Sequence, residues 1–442
     1  MNDPVALETQ AAKLRSLTRR EALRIIGAAG ACAVLPGDLA FARRAFKPRG
    51  EDEAFLNELE HQGCLFFWEQ GSADTGQVLD RSRCDLNGAC DPRHMASIAA
   101  TGFGLTALAI ADKRGYLPHD AIVERVRTTL NWHLNQMPEV HGFFYHFTDL
   151  ETGARFRRTE LSSIDTAILL CGVLTAKAHF NDPLIKSLAG QIYERVDWPW
   201  MLNGGDTFSM GWHPENGFLK ARWSHYCELM MIYLLAFGSP SHPVSPELWN
   251  NFSRPVVHYG DYAYISGNDP LFTHQYSQAW FDFRHKRDAY ANYFENSVIA
   301  TQAHRAFCLA HPEWYNHDCW GVTASDCQRG YTAWGGSPTG GKLDGTVVPS
   351  AAAGSLPFLP EDCIAVLRAM RQKWGEQSWR RYGFVDAFHP AGHWYDTDVL
   401  GINQGISVVM AENLRSGFVW NTFMRNPECA RAMQLAGFRN HA

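Results

Sequence analysis

No CxxC or HExxH spacing occurs in the 442 residues, so neither a structural nor a catalytic metal centre is expected. GxSxG, P-loop and GxGxxG contexts are also missing, which removes serine-hydrolase and nucleotide-binding readings. There is no long basic run, and the formal charge of -6 is spread along the chain, which argues against a nucleic-acid partner. The main apolar stretch of the N-terminal region, Ile25 to Leu35, is too short to span a bilayer, so no stable membrane anchor is expected. No repeat of fixed period is visible, so the chain is not a solenoid. No cofactor is expected.

Aromatic residues are abundant, at 13% with 15 Trp. By length the chain could form two or three domains, but a closed barrel would absorb it as one. Ser16-Leu17-Thr18-Arg19-Arg20-Glu21-Ala22-Leu23 is a twin-arginine pattern, followed by the apolar stretch and a small-x-small cleavage site at Ala40-Phe41-Ala42. Residues 1–42 are therefore read as a Tat signal peptide, 43–50 as a basic linker and 51–442 as one domain. The mature protein is expected in the periplasm or secreted, with the Tat translocase as a partner during export. Cleavage would remove one of the 11 cysteines, Cys32. The rest could pair in an oxidising compartment, with Cys84/Cys90 and Cys319/Cys327 the nearest neighbours in sequence.

The stretch Phe156 to Gly172 sets two arginines, Glu160 and Asp165 before an apolar run. Ser162-x-x-Asp165 fits a helix N-terminus, with the serine as cap and the acid favoured by the dipole. Ile164, Ala167, Ile168 and Cys171 then recur at helical spacing. Glu160 falls on the loop feeding that helix, a natural place for acid/base chemistry. The alternative is purely structural: Asp165 only caps, and Glu160 only pairs with Arg157 or Arg158.

Helices apolar almost all round alternate with amphipathic ones. Ser97–Arg114, 163–180 and 223–237 read as inner helices. Asp52–Gln70 reads as an amphipathic helix, and 118–136, 183–196 and 246–252 read as outer partners. Helices over 289–310, 361–373, 403–414 and 418–424 continue the style less clearly. Gly142 to Asp149 and Thr207 to Glu215 look like small β-hairpin inserts. Roughly a dozen helical segments fit an all-α fold of six inner and six outer helices, an (α/α)6 toroid.

Acids cluster beside aromatic residues in the loops. Glu228 follows Trp223-Ser224-His225-Tyr226-Cys227; Asp80-Arg81 lies in a long early loop; Asp326 follows Trp320; Asp386 follows Tyr382-Gly383-Phe384-Val385. Aromatic faces stack on pyranose rings and paired carboxyls supply acid and base, so this furnishing suits a sugar-cleaving site. Catalysis by Cys227 beside His225 has little support, because such close neighbours are poorly placed to pair.

Leu79-Asp80-Arg81-Ser82, Ser97 to Gly104, Gly142 to Phe147 and Glu160 to Ala167 give the sequence a family resemblance, as do Ser209-Met210-Gly211-Trp212 and Tyr226-Cys227-Glu228. So do Phe272-Thr273-His274-Gln275, Tyr293 to Ser297, Gly321 to Asp326 and Tyr382 to Phe388. Over about 55–438 the chain resembles the bacterial glucoamylase-like (α/α)6 family that includes the β-1,2-glucanases of glycoside hydrolase family 144. The resemblance implies a glucan-active enzyme with its site in the central cavity. It assigns Glu160, Asp165 and Glu228 as the catalytic set. Substrate contacts are then expected from Asp80, Arg81, Tyr145, His146, Trp212, Trp223, His225, Tyr226, His274, Gln275, Trp320, Asp326 and Asp386. It further implies an inverting reaction, which sets the two carboxyls about 6.5–9.5 Å apart or uses a water relay. Cys227 and Asn403 depart from the family's pattern, Asn403 standing where relatives usually carry Asp, and this opens transglycosylation as a variant.

Two further readings compete. A polysaccharide lyase would use Tyr145 or His146 as base, with Arg81 or Asn296 neutralising a uronate. A glycan-binding protein would keep the toroid without turnover.

Overall fold

The computed structural model describes residues 46–334, 338 and 343–441. The expected signal peptide, the first linker residues and the Gly335-Gly336 pair lie outside the described residues. Fourteen described α-helices are numbered here in chain order. They are α1 (Glu51–Glu69), α2 (Ile98–Arg114), α3 (His119–Asn135), α4 (Ser163–His179), α5 (Pro183–Glu194), α6 (Trp198–Leu202) and α7 (Met230–Gly238). Then follow α8 (Tyr276–Trp280), α9 (Tyr293–Leu309), α10 (Pro349–Ala353), α11 (Pro360–Trp374), α12 (Gly401–Ser416), α13 (Phe418–Phe423) and α14 (Pro427–Leu435).

α2, α4, α7, α8, α10 and α12 are buried over most of their length and form the inner ring. α1, α3, α5, α9 and α11, with a short 3-10 turn at Pro246–Asn250, alternate with them on the outside. This is the (α/α)6 toroid, and α12 closes the ring by packing on both α1 and α2.

Sequence dictates the helix ends. Ser97 caps α2 by accepting the Ala100 N–H (3.2 Å), and Gly115, at φ 68°, ends it in a left-handed turn. Asp182 caps α5 ahead of Pro183. α2 and α4 touch through glycine: a Cβ on Gly172 would lie 2.1 Å from the Gly102 carbonyl oxygen. We expect Gly172→Ala to destabilise the fold by about 1–3 kcal/mol through overpacking. A chemical-denaturation midpoint equal to the wild type's would disprove that contact.

The main departures from expectation are local. The inner helix expected from Trp223 begins only at Met230, because the preceding backbone is bonded crosswise: Trp223 N–H to Phe208 C=O and Tyr226 N–H to Ser253 C=O. α9 starts at Tyr293, where the Asn292 side chain caps it. The Gly142–Asp149 insert is not a self-contained hairpin. Phe143–Phe144 pairs with Glu139–Val140, whereas Phe147–Asp149 pairs with Met95–Ser97, which in turn pairs with Val78–Leu79. α10 and α14 were not foreseen, nor was the hairpin Val256–Tyr259/Tyr262–Ile265.

No disulfide forms among the described residues, and their ten cysteines are unpaired. Cys84 turns its thiol to the Thr397 carbonyl and Cys327 to that of Gly330, so nearness in sequence does not bring either expected pair together.

Three inner helices begin at one end of the ring, where backbone bonds tie their starts together. Ile98 N–H donates to His146 C=O, His146 N–H to Glu160 C=O, and Gly401 N–H to Asp80 C=O. Helix N-termini carry partial positive charge, so this end is prepared to hold carboxylates.

Candidate active site

His146 is the first node. It leaves the strand-like insert beside Phe147, on which its ring stacks with centroids 3.9 Å apart. Its Nδ1 lies 3.0 Å from Glu160 Oε1 and its Nε2 lies 3.6 Å from Asp165 Oδ2. Burial opposes a charge on this ring, but Asp165, Glu160 and Asp80 outweigh it and lift its pKa to about 9. The imidazolium in turn holds Glu160 below the usual carboxylate range, first through the hydrogen bond. Asp165 is 9% exposed, and Ser162 both caps its N–H and donates to its carboxylate. Glu160 therefore pairs with His146, not with Arg157 or Arg158.

The second node is Arg81. Its guanidinium donates to Asp326 Oδ2 (2.6 Å) and Asp80 Oδ2 (3.3 Å). Asp326 N–H donates to Asp386 Oδ2 (2.8 Å), and the Asn403 amide donates to Asp386 Oδ1 (2.8 Å). Asp396 completes the group, with carboxyl oxygens of Asp326, Asp386 and Asp396 within 4.8 Å of one another. Burial, reinforced by Asp326 and by each other's proximity, pushes Asp386 up to about 8; burial and Asp326 push Asp396 up to about 7. The donors from Arg81 and Asn403 together with these raised pKa values show how the acids share a small space: some hold their protons.

Glu228 forms the third node, in the turn just before α7. The carboxyl is 8% exposed, and burial, together with the charges of Asp269 and Asp165, raises its pKa to about 7. Ser277 of α8 fixes its main chain by donating to the Glu228 carbonyl at 2.7 Å. His225 stands at the rim, Nε2 3.1 Å from Asp269 Oδ2. Glu228 and Glu160 are thus pushed in opposite directions by their surroundings, a pattern that separates an acid from a base.

Not every expected contact faces the cavity. Tyr226 and Gln275 are fully buried: Tyr226 stacks on Tyr293 and meets His274, and the Gln275 amide bonds Ala351 C=O and Ser355 Oγ. His274 is buried as a neutral ring, burial lowering its pKa to about 3. Trp320 is 1% exposed, and the Trp223 indole donates to Ser163 Oγ at 2.8 Å, which secures the start of α4. All five are buried. Trp212 and Tyr145 are half-buried beside the strand Leu161–Ser162 that follows Glu160, with the Arg155 guanidinium over Tyr145. Cys227 is buried with its thiol pushed up by burial, while His225 turns to Asp269, so no Cys–His pair exists.

Three of the four residues expected for lyase chemistry are engaged by protein groups. Asn296 exchanges both its amide groups with the Ile265 backbone, His146 is held as a cation, and Arg81 is neutralised by its aspartates. Asp269 and Asp396 were missed. Asp269 sits in Ser266-Gly267-Asn268-Asp269-Pro270, which reads as an ordinary turn, and nothing local marks Asp396.

An (α/α)6 toroid is also the fold of the glucoamylase-like structures to which this chain is similar. Residues 220–427 match the family model described as "Putative glucoamylase". The chain is 27% identical over 425 residues to the exo β-1,2-glucooligosaccharide sophorohydrolase (non-reducing end) of Parabacteroides distasonis, covering 87% of this chain. It spans 58% of that relative's length. The endo-β-1,2-glucanase of Chitinophaga pinensis, solved with sophorotriose and glucose, superposes with a TM-score of 0.80 at 26% identity, over 89% of this chain and 99% of that one. A β-1,2-glucanase structure from Parabacteroides distasonis gives 0.80 at 26% identity, over 88% of this chain and 60% of that one. The chain is thus similar in sequence and fold to glucoamylase-like proteins, among them β-1,2-glucanases.

Proposed function

We propose that the protein is a glycoside hydrolase that cleaves β-1,2-linked glucan in the periplasm or outside the cell after Tat export. The observation that carries the catalytic assignment is the split between two carboxyls: Glu228 held protonated to about pH 7 and Glu160 held ionised. Glu228 donates its proton to the departing glycosidic oxygen, and Glu160 takes a proton from the attacking water, giving inversion. His146 keeps Glu160 oriented and, through its charge, keeps Asp165 satisfied. The named activities of the relatives support the substrate class, and Arg19-Arg20 supports the export route.

A second reading is transfer of the cleaved glucan to a sugar hydroxyl instead of water. Asn403 favours it: an amide donating to Asp386 at 2.8 Å cannot take up a proton as a carboxylate would. Incubation of the mature protein with linear and cyclic β-glucans, with products read by chromatography, tests both. Shorter β-1,2 oligosaccharides support hydrolysis, products longer than the substrate support transfer, and no change in any β-1,2-glucan rejects the assignment.

The pH profile follows from the same pair. Activity should fall as pH rises through about 7, when Glu228 loses its proton, and on the acid side only below the usual carboxylate range, when Glu160 gains one. Asp269→Asn removes a negative charge beside Glu228, so Glu228 ionises more easily and the basic limb should move to lower pH. A basic limb that stays in place in this variant would detach Glu228 from it.

A further inference from the structure

The hairpin that carries Asp326 presents a second group beside that acid. Ser325 and Thr332 exchange both backbone bonds (3.1 and 2.8 Å), and so do Cys327 and Gly330 (3.0 and 2.8 Å), which leaves Gln328-Arg329 as the turn. Asp326 and Tyr331 therefore stand opposite each other as a pair without backbone bonds of its own, and the side chains of such a pair leave the hairpin on one face. Contacts fix the other face. Trp334 Nε1 donates to Ser325 Oγ (3.1 Å), the Cys327 thiol lies 3.5 Å from Thr332 Oγ1, and Ser325, Cys327 and Trp334 are all buried. That face is taken up by the protein. Asp326 and Tyr331 share the face turned to Arg81, whose guanidinium meets Asp326 at 2.6 Å.

The two differ in exposure: Asp326 is 8% exposed and Tyr331 53%. The other exposed tyrosine among the described residues, Tyr290, has the Arg254 guanidinium over its ring at 3.9 Å and bonds Asn250 through its hydroxyl. Among the described residues no ring or guanidinium covers Tyr331. Burial, then the charges of Asp386 and Asp80, raise the pKa of its phenol, in keeping with an open ring set in a hollow beside the acids. An uncovered aromatic face next to an arginine and its carboxylates suits a pyranose: the ring takes the apolar face of the sugar and the charged groups take its hydroxyls.

We propose that Tyr331 is the stacking platform for one glucose unit of the bound chain, the unit whose hydroxyls meet Arg81 and its aspartates. This rests on the β-1,2-glucan reading above and adds a subsite to it. The acid/base pair stands on other elements, Glu160 ahead of α4 and Glu228 ahead of α7. The platform therefore contributes binding that is the same before and during bond cleavage.

Tyr331→Ala should keep the wild-type Tm, because more than half of the side chain is already open to solvent. Its KM on linear β-1,2-glucan should rise about tenfold, with kcat within about twofold of the wild type, the signature of lost uniform binding. Tyr331→Phe keeps the stacking face and should restore wild-type KM. Titration calorimetry with a β-1,2-linked oligosaccharide reads the same contact without turnover, and about tenfold weaker binding to the Ala variant beside wild-type binding to the Phe variant supports the inference. An Ala variant with wild-type KM and affinity overturns it. So does a Phe variant as weak as the Ala one, which would assign the loss to the hydroxyl, and so does a fall in kcat with KM unchanged. A wild type that binds the oligosaccharide without cleaving it strikes the hydrolase reading alone, and calorimetry still decides Tyr331. A wild type that neither binds nor cleaves overturns both.

Discussion

Glu228→Gln is expected to give a folded protein whose kcat on β-1,2-glucan is lowered by about 10²- to 10⁴-fold, the usual contribution of a positioned general acid. The side chain is buried and its main chain is held by Ser277, so the amide can occupy the same space. The wild-type carboxyl holds its proton to about pH 7 because burial opposes its charge, with Asp269 and Asp165 adding to that. Its folded pKa is therefore raised above the unfolded value. The stability it contributes is complete below the unfolded value and is lost as pH rises through about 7. Gln has no proton to lose, so at pH 8 the variant should be at least as stable as the wild type. Melting curves at pH 6 and pH 8 beside a turnover assay test both halves. More than a tenth of wild-type activity in a folded variant would remove Glu228 from the acid role.

Arg415→Ala should cost the fold about 3–5 kcal/mol, because it leaves the fully buried Glu60 carboxyl without its arginine partner. This network lies at the other end of the ring, where α2 and α12 finish. The Arg415 side chain is 3% exposed and donates to Glu60, Glu53 and Asn57, while Arg114 holds Glu412 at 2.6 Å. Glu60 and Glu412 are both fully buried, and burial and the Glu412 charge push Glu60 well above the carboxylate range. Without Arg415, two carboxyls would share a single arginine. Arg415→Met with Glu60→Gln removes both partners of the buried contact and should recover much of the loss, so the two changes should be strongly non-additive. Urea denaturation of the single and double variants measures this. A loss under 1 kcal/mol in Arg415→Ala would mean that solvent already reaches the network.

The two predictions concern different helices, Glu228 before α7 and Arg415 at the end of α12, and the sequence exposes them unequally. Helices such as α2 and α4 were readable because their apolar and small residues fill every face and Ser97 and Ser162 announce their starts. α10 was not, since five residues from Pro349 to Ala353 carry no period. In the candidate site, Glu160, Asp165 and Glu228 could be singled out in the sequence as acids near helix starts. The pairing of Glu160 with His146 was not, because it depends on an insert that bonds across to Met95–Ser97. Tyr226, Gln275, His274, Trp223 and Trp320 look like sugar contacts in one dimension. Packing turns them inward, and burial is a property of the closed ring that no local window contains.

The ten unpaired cysteines have a consequence for how the protein survives. All but Cys90 are buried, in most cases with burial holding the thiol protonated and so unreactive. Resistance to oxidation is therefore a property of the folded shape and not of the chain. A native molecule offers an oxidant one exposed sulfur among the described residues, whereas an unfolded one offers them all, with many wrong ways to join. Unfolding in the presence of oxygen would then be close to a one-way step, and the half-life of the protein would be set by how rarely the ring opens.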